Sequence, residues 1–310
     1  MSNNKQCTSH ILMVRPSHFG FNPETAASNS FQTNDLSMSS EEIKRKAVEE
    51  FDTFVYALRS KGIHVHIAQD TDEPVTPDAV FPNNWITFHE KGYLITYPMQ
   101  AAARRLERRD DIIYSLAEKF KILKRYYLEF NEAEGRYLEG TGSMIFDRDN
   151  KIVYACLSPR TDLQLLNSFC DITGYTPCVF YSYDQNDQEV YHTNVMMTMG
   201  DQFVVICLDS VKKKEEREHL LLLFKQTNKQ VIELTMEQMN AFAGNMLQLR
   251  NDQGHTFLVM SEQAYNALRA DQVEQIRMFT SILHAPIYTI EKYGGGSARC
   301  MMAEVFLPLK

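Results

Sequence analysis

Three residue types capable of nucleophilic chemistry recur at a regular interval in this chain of 310 residues. Cys300 lies in GGGSARCMMAEVF, His192 in VYHTNVMMTM and Glu139 in YLEGTGSMIF. Asn84 in VFPNNWITF and Asn245 in FAGNMLQL hold the same place, each just before an apolar run, and successive members are 55, 53, 53 and 55 residues apart. A cysteine beside Met and Ala, or one histidine of nine, is ordinarily a core residue. Their shared position is what singles them out. A thiolate needs a nearby base or a lowered pKa to attack. An imidazole can protonate a leaving amine or activate water, and a carboxylate can hold substrate N–H groups in place. Asn245 completes the series without an assigned task.

These positions require elements that bring them together. Five apolar runs read as strands: ILMVRP (11–16), YLITYP (93–98), IVYACLSP (152–159), FVVICLDS (203–210) and FLVMSEQ (257–263). A segment of helical character follows each, including AAARRLERRDDIIYSLAEKF, VKKKEEREHLLLLFKQ and AYNALRADQVEQIRMFTSIL. A second β-rich run comes next: IHVHIAQ, KRYYLEF, CVFYSY, QVIELT and APIYTI. A loop, a third strand and a polar turn (HEKG, DRDNK, MGDQ, NDQGH) complete the unit, which occurs five times. A ring of five such units brings the loops to one end of its axis. The insertion SHFGFNPETAASNSFQTNDLSMSS (17–40), rich in Ser, Asn and Thr, is expected to be a lid-like loop.

Composition narrows the function. A formal net charge of −8 speaks against nucleic-acid or anionic-membrane binding. HLLLLF is too short to span a bilayer, and the polar opening MSNNKQCTSH suggests no secretory leader, so a cytoplasmic protein is expected. Six cysteines without a CxxC pair read as reduced thiols. His64 and His66 lack a third ligand at suitable spacing and read as structural, so no metal site is expected. Asp78, Asn83 and Asn84, beside the single tryptophan Trp85, read either as an Asx-rich turn or as pocket donors and acceptors with an aromatic wall. Arg104 and Arg160, each near an expected helix start, could clamp a carboxylate.

The Glu, His and C-terminal Cys order within five strand-rich repeats resembles the guanidine-modifying superfamily. DAVFPNNW, LEG, LSPRT and ARC fall where those enzymes carry related motifs. The superfamily includes arginine deiminases, dimethylarginine dimethylaminohydrolases and amidinotransferases; the FPNNW stretch resembles its citrulline utilization hydrolase branch. The resemblance implies an α/β fold, a five-bladed pseudo-symmetric α/β-propeller (the pentein fold), as one domain over 1–310. It implies Cys300 as nucleophile, His192 as general acid/base and Glu139 as the carboxylate orienting the substrate nitrogens. Asp78 would face the substrate α-amino group, and Arg104 and Arg160 its α-carboxylate. No cofactor is implied; the partner is a small-molecule amino acid, and a homo-oligomer is left open.

Two departures bear on substrate charge. Asn83-Asn84 stand where dimethylarginine hydrolases carry acids, and Asn194 stands where many deiminases carry aspartate. A buried guanidinium needs compensating carboxylates, whereas a ureido carbonyl can accept from an asparagine amide. The expectation is therefore a cysteine hydrolase converting citrulline to ornithine, ammonia and carbon dioxide. The alternatives are a deiminase or dimethylarginine-type hydrolase acting on a guanidinium, and a non-catalytic binding protein of the same fold.

Overall fold

The structure, a computed structural model, describes residues 6–26, 29, 31–35 and 37–310. β1 (His10–Arg15) pairs in parallel with β2 (His64–Gln69) across the helix Ser40–Ser60. That helix begins where Ser39 Oγ accepts from the Glu42 N–H at 3.3 Å. Its apolar residues Ile43, Ala47, Phe51, Phe54, Val55 and Leu58 recur at three- and four-residue spacing and are buried as one stripe.

The next four sheets share one plan. Antiparallel hairpins join β3 (Ile86–His89) to β4 (Tyr93–Thr96), β6 (Ile145–Asp147) to β7 (Ile152–Cys156), β9 (Met197–Met199) to β10 (Phe203–Ile206), and β12 (Leu247–Arg250) to β13 (Thr256–Ser261). A crossover then leads to a parallel third strand: β5 (Lys124–Tyr127), β8 (Thr176–Phe180), β11 (Gln230–Glu233) or β14 (Ser281–Ala285). β4, β7, β10 and β13 are the middle strands, almost wholly buried, as strands covered on both faces must be. Finally β15 (Ala303–Glu304) returns antiparallel to β1, with Ile11 opposite Glu304 and Leu12 opposite Ala303. The last repeat thus completes the first sheet, and the five three-stranded sheets match the five expected units.

Some expected boundaries move. APIYTI is not a strand: the strand is Ser281–Ala285, and Tyr288–Gly294 is helical. Pro286 has no N–H for a ladder, and the Glu50 carboxylate caps the new helix by accepting from Thr289 N (2.8 Å) and Ile290 N (3.0 Å). The expected helix 264–283 divides into Glu262–Ala267 and Ala270–Arg277, because Leu268 is extended and the Gln272 side chain accepts from the Arg269 N–H at 2.9 Å to start the second helix. The expected helix 101–120 divides into a 3₁₀ turn, Ala103–Glu107, and the helix Asp110–Ala117. Arg108 between them is extended, with its guanidinium on Glu132 at 2.5 Å. All six cysteines are buried and free. Among the described residues, no helix is long and apolar enough to cross a membrane.

Candidate active site

The five loops that precede β3, β6, β9, β12 and β15 converge, and glycine permits it. A Cβ on Gly142 would collide with Asn84 Nδ2 and stand 2.7 Å from His192 Nδ1. A Cβ on Gly244 would collide with the Val195 carbonyl. Backbone at these places meets the neighbouring repeat with nothing between.

Glu139 and His192 each precede a one-turn helix, Gly140–Ser143 and Thr193–Met196. Glu139 is fully buried. Its Oε1 accepts from Gln100 N at 2.9 Å, and its Oε2 lies 2.8 Å from His192 Nε2 and 3.5 Å from an Arg160 nitrogen. Burial pushes this carboxyl up, but Arg160, His192 and Arg104 together outweigh it and hold it down at about 2. Burial likewise pushes the His192 imidazolium down to about 4, against the pull of Glu139. His192 is therefore neutral at rest, with Nε2–H donated to Glu139 and Nδ1 left as an acceptor beside Gly142.

Cys300 is buried in the turn before β15. Its Sγ lies 3.3 Å from Asn194 Nδ2 and 3.3 Å from Asn245 Nδ2. Acid, imidazole and thiol thus meet in one place, from repeats far apart in sequence. Cys300 and His192 line a small cavity of about 20 Å³ together with Asn84, Asp78, Arg104 and Arg160. That is room for about one water molecule. Asn22, Thr25 and Asn29, from the 17–40 insertion, cover it. Asn22 Nδ2 donates to Asp78 Oδ2 (2.7 Å), Asn29 Nδ2 to the Gly295 carbonyl (3.1 Å), and Arg160 to the Thr25 carbonyl (3.1 Å). A larger cleft of about 490 Å³, lined by Phe31, Asp184, Phe242 and Glu291 among others, contains none of the catalytic candidates.

Arg104 does not present an open fork. Nε and Nη2 donate to the two oxygens of Glu107, both at 2.9 Å, and Nη1 donates to Asn84 Oδ1 at 2.8 Å. Because a guanidinium only donates, it fixes the Asn84 amide, whose buried Nδ2 has no hydrogen-bond partner among the described residues. Burial pushes the Glu107 carboxyl up to about 7 despite Arg104. Asp78 is also pushed up by burial, more than Arg104 and Asn22 offset, and its Oδ1 has no hydrogen-bond partner among the described residues.

Of the residues singled out by sequence, Asp78, Asn84, Arg104, Arg160, His192 and Cys300 line the cavity, and Glu139 stands behind His192. Asn194 lies against the sulfur. Asn83 is buried but does not line the cavity, and its amide has no hydrogen-bond partner among the described residues. Trp85 packs into a core cluster with Leu94 and Ile112, so the aromatic walls are Phe81 and Tyr191 instead. His64 and His66 lie on β2 and stack on His10 of β1, apart from these residues: His10 Nδ1 is 3.1 Å from His66 Nε2. Sequence reasoning missed Glu107, although its i,i+3 spacing from Arg104 is a signal. It also missed Asn22 and Thr25, whose insertion has no counterpart in the other repeats.

No curated protein sequence matches the chain. Solved structures share its fold, three of them as follows. The N-terminal domain of ArgZ bound to product, an arginine dihydrolase from the ornithine–ammonia cycle in cyanobacteria, has 16% identity and a TM-score of 0.74, over 96% of this chain and 98% of that one. AgrE, in a cysteine-to-alanine variant with L-arginine, has 14% identity and a TM-score of 0.74, over 97% of this chain and 40% of that one. The dimethylarginine hydrolase DDAH from Pseudomonas aeruginosa, in a cysteine-to-serine variant complexed with citrulline, has 16% identity and a TM-score of 0.65, over 96% of this chain and 99% of that one. The fold is the pentein fold. The family model described as N,N dimethylarginine dimethylhydrolase, eukaryotic, matches residues 15–307. With that match across nearly its whole length, the chain belongs to the dimethylarginine dimethylhydrolase family and is a cysteine-dependent hydrolase of non-peptide C–N bonds.

Proposed function

We propose that this hydrolase acts on the ureido C–N bond of citrulline. The observation that carries the reading is the fixed Asn84 amide: Arg104 occupies Oδ1, so the unpartnered group is the N–H donor Nδ2. A ureido oxygen accepts such a hydrogen bond; a guanidinium, all donor, cannot. Glu139, the carboxylate nearest His192, already accepts from Gln100 and His192 and faces Arg160. Little acceptor capacity is left for a cationic head group.

In this reading the Cys300 thiol gives its proton to neutral His192 as the sulfur attacks the ureido carbon. The tetrahedral adduct collapses as His192 returns that proton to the departing δ-amine, releasing ornithine and leaving an S-carbamoyl cysteine. Water, deprotonated by His192, cleaves the thioester to carbamate, which gives ammonia and carbon dioxide. Asp78 Oδ1, buried and unpaired, receives the α-ammonium group. Arg160 and the remaining Nη1 hydrogen of Arg104 face the α-carboxylate.

A second reading, hydrolysis of a guanidinium, is favoured by the family match and by the arginine held in AgrE. The deciding assay measures ornithine and ammonia from citrulline, with arginine and dimethylarginine in parallel and Cys300→Ala as control. Ornithine from citrulline alone, lost in the alanine variant while its melting temperature holds, supports the ureido reading. Citrulline formed from arginine or dimethylarginine replaces it with the guanidinium reading. Residual turnover in the Cys300 variant would remove the covalent mechanism from both.

A further inference from the structure

Asn245 completes the series of five loop positions, and the reaction above gives it no task. Its amide cannot be turned around. Oδ1 accepts from the Arg299 N–H at 3.0 Å, and Nδ2 donates to the Asn194 carbonyl at 2.8 Å; a backbone N–H only donates and a carbonyl only accepts. The second hydrogen on Nδ2 is therefore directed to Cys300 Sγ, 3.3 Å away. Asn194 Nδ2 approaches the same sulfur at 3.3 Å. Both asparagines are fully buried, so water does not compete for these contacts.

Among the described residues no cation hydrogen-bonds the sulfur, and the buried Arg299 beside it acts on Cys300 only through its charge. His192 gives Nε2 to Glu139. The Arg299 guanidinium is engaged by Glu304 at 2.7 Å and by the Met302 carbonyl at 2.7 Å. Among the described residues, the polar contacts of Sγ are the two asparagine side chains. We propose that Asn194 and Asn245 are positioning residues for the nucleophile, two amide donors from adjacent repeats that aim the Cys300 sulfur and stabilise it as the thiolate. The proposal rests on the reading of Cys300 as nucleophile. It matters most for a neutral substrate, which brings no positive charge to the thiolate when it binds.

The test follows alkylation of Cys300 by iodoacetamide as a function of pH, read by mass spectrometry of the Cys300 peptide. Asn194→Asp and Asn245→Asp keep size and remove the donors; Asn245→Asp also keeps an oxygen for the Arg299 N–H. Asn194→Leu removes the donor without adding charge. The expected result is a half-maximal alkylation pH raised by about one unit in each variant, the effect of losing one charge-assisted donor. Turnover at neutral pH should fall about tenfold and recover at higher pH, with KM nearly unchanged. A merely structural role would lower the melting temperature without moving the pH profile, and that outcome overturns the proposal. So does a profile moved by the aspartates and not by leucine, since charge alone would explain it. A wild-type Cys300 that resists alkylation at every pH would instead overturn the nucleophile reading, and this proposal with it.

Discussion

Every ionisable side chain in this cavity has been taken out of water, and its partners decide which keeps its charge. Glu139 and Glu107 make the comparison: both are fully buried carboxylates near Arg104, yet one is held at about 2 and the other raised to about 7. Arg160 and His192 add to the pull on Glu139, whereas Glu107 has Arg104 alone and feels Asp78 and Glu139 as like charges. The Glu139 carboxyl, depressed from 4.5, contributes stability that is fully present above its unfolded value and lost as pH falls from 4.5 toward 2. That contribution is on the order of 3 kcal/mol. In Glu139→Gln the loss of stability between pH 5 and pH 3, measured by urea unfolding, should shrink by about 2 kcal/mol, the share of that contribution lost above pH 3. An acid limb as steep as in the unaltered protein would mean the charged partners do not hold this carboxylate. Cys300, His192 and Glu139 were legible because the repeat marks them. The capture of Arg104 by Glu107 was not, because an open carboxylate clamp and a buried ion pair read alike until both partners are placed.

At the scale of single elements, the loops are built from close approach. Gly142 begins no turn that needs a left-handed residue; it is glycine because Asn84 and His192 occupy the space a side chain would need. Gly142→Ala should leave the sheets intact and displace the His192 ring or the Asn84 amide. A displacement of about 1 Å costs roughly 100-fold in rate. The expected outcome is kcat/KM down by about that factor, with a melting temperature lowered by only a few degrees. Wild-type kcat/KM in this variant would show that the tight packing of the two loops is not what sets the geometry. The middle strands were readable as short apolar runs bounded by turns. The Tyr288–Gly294 helix was not: its cap is Glu50, from an element far away in sequence. A local pattern carries no trace of such a partner.

At the scale of the molecule, closing the ring and presenting the proposed nucleophile are one structural problem. Cys300 occupies the turn that delivers β15 to β1, so the strand that joins the two ends of the chain also aims the sulfur. The pairing itself is only two residues long, and charge reinforces it. Glu304 lies 2.7 Å from Arg299 and 3.5 Å from Arg148, all three buried, while Thr8 Oγ1 donates to the Val305 carbonyl at 2.8 Å. A five-fold period in the sequence implied the ring, but which strand closes it depends on the ends meeting in space. Removing one member of a buried ion pair leaves its partners uncompensated, at a cost of about 3–5 kcal/mol. Glu304→Ala is therefore expected to lose stability of that order in denaturant titration. Glu49→Ala, at the exposed pair with Arg45, should lose less than about 1 kcal/mol. Because Arg299 N–H holds Asn245 and its neighbour Cys300 is the proposed nucleophile, Glu304→Ala should also lower turnover under conditions where it remains folded. If Glu304→Ala proved no more damaging than Glu49→Ala, the closure would rest on apolar burial of Ala303 and Val305 alone, and the coupling between ring and nucleophile would have to run through the backbone instead.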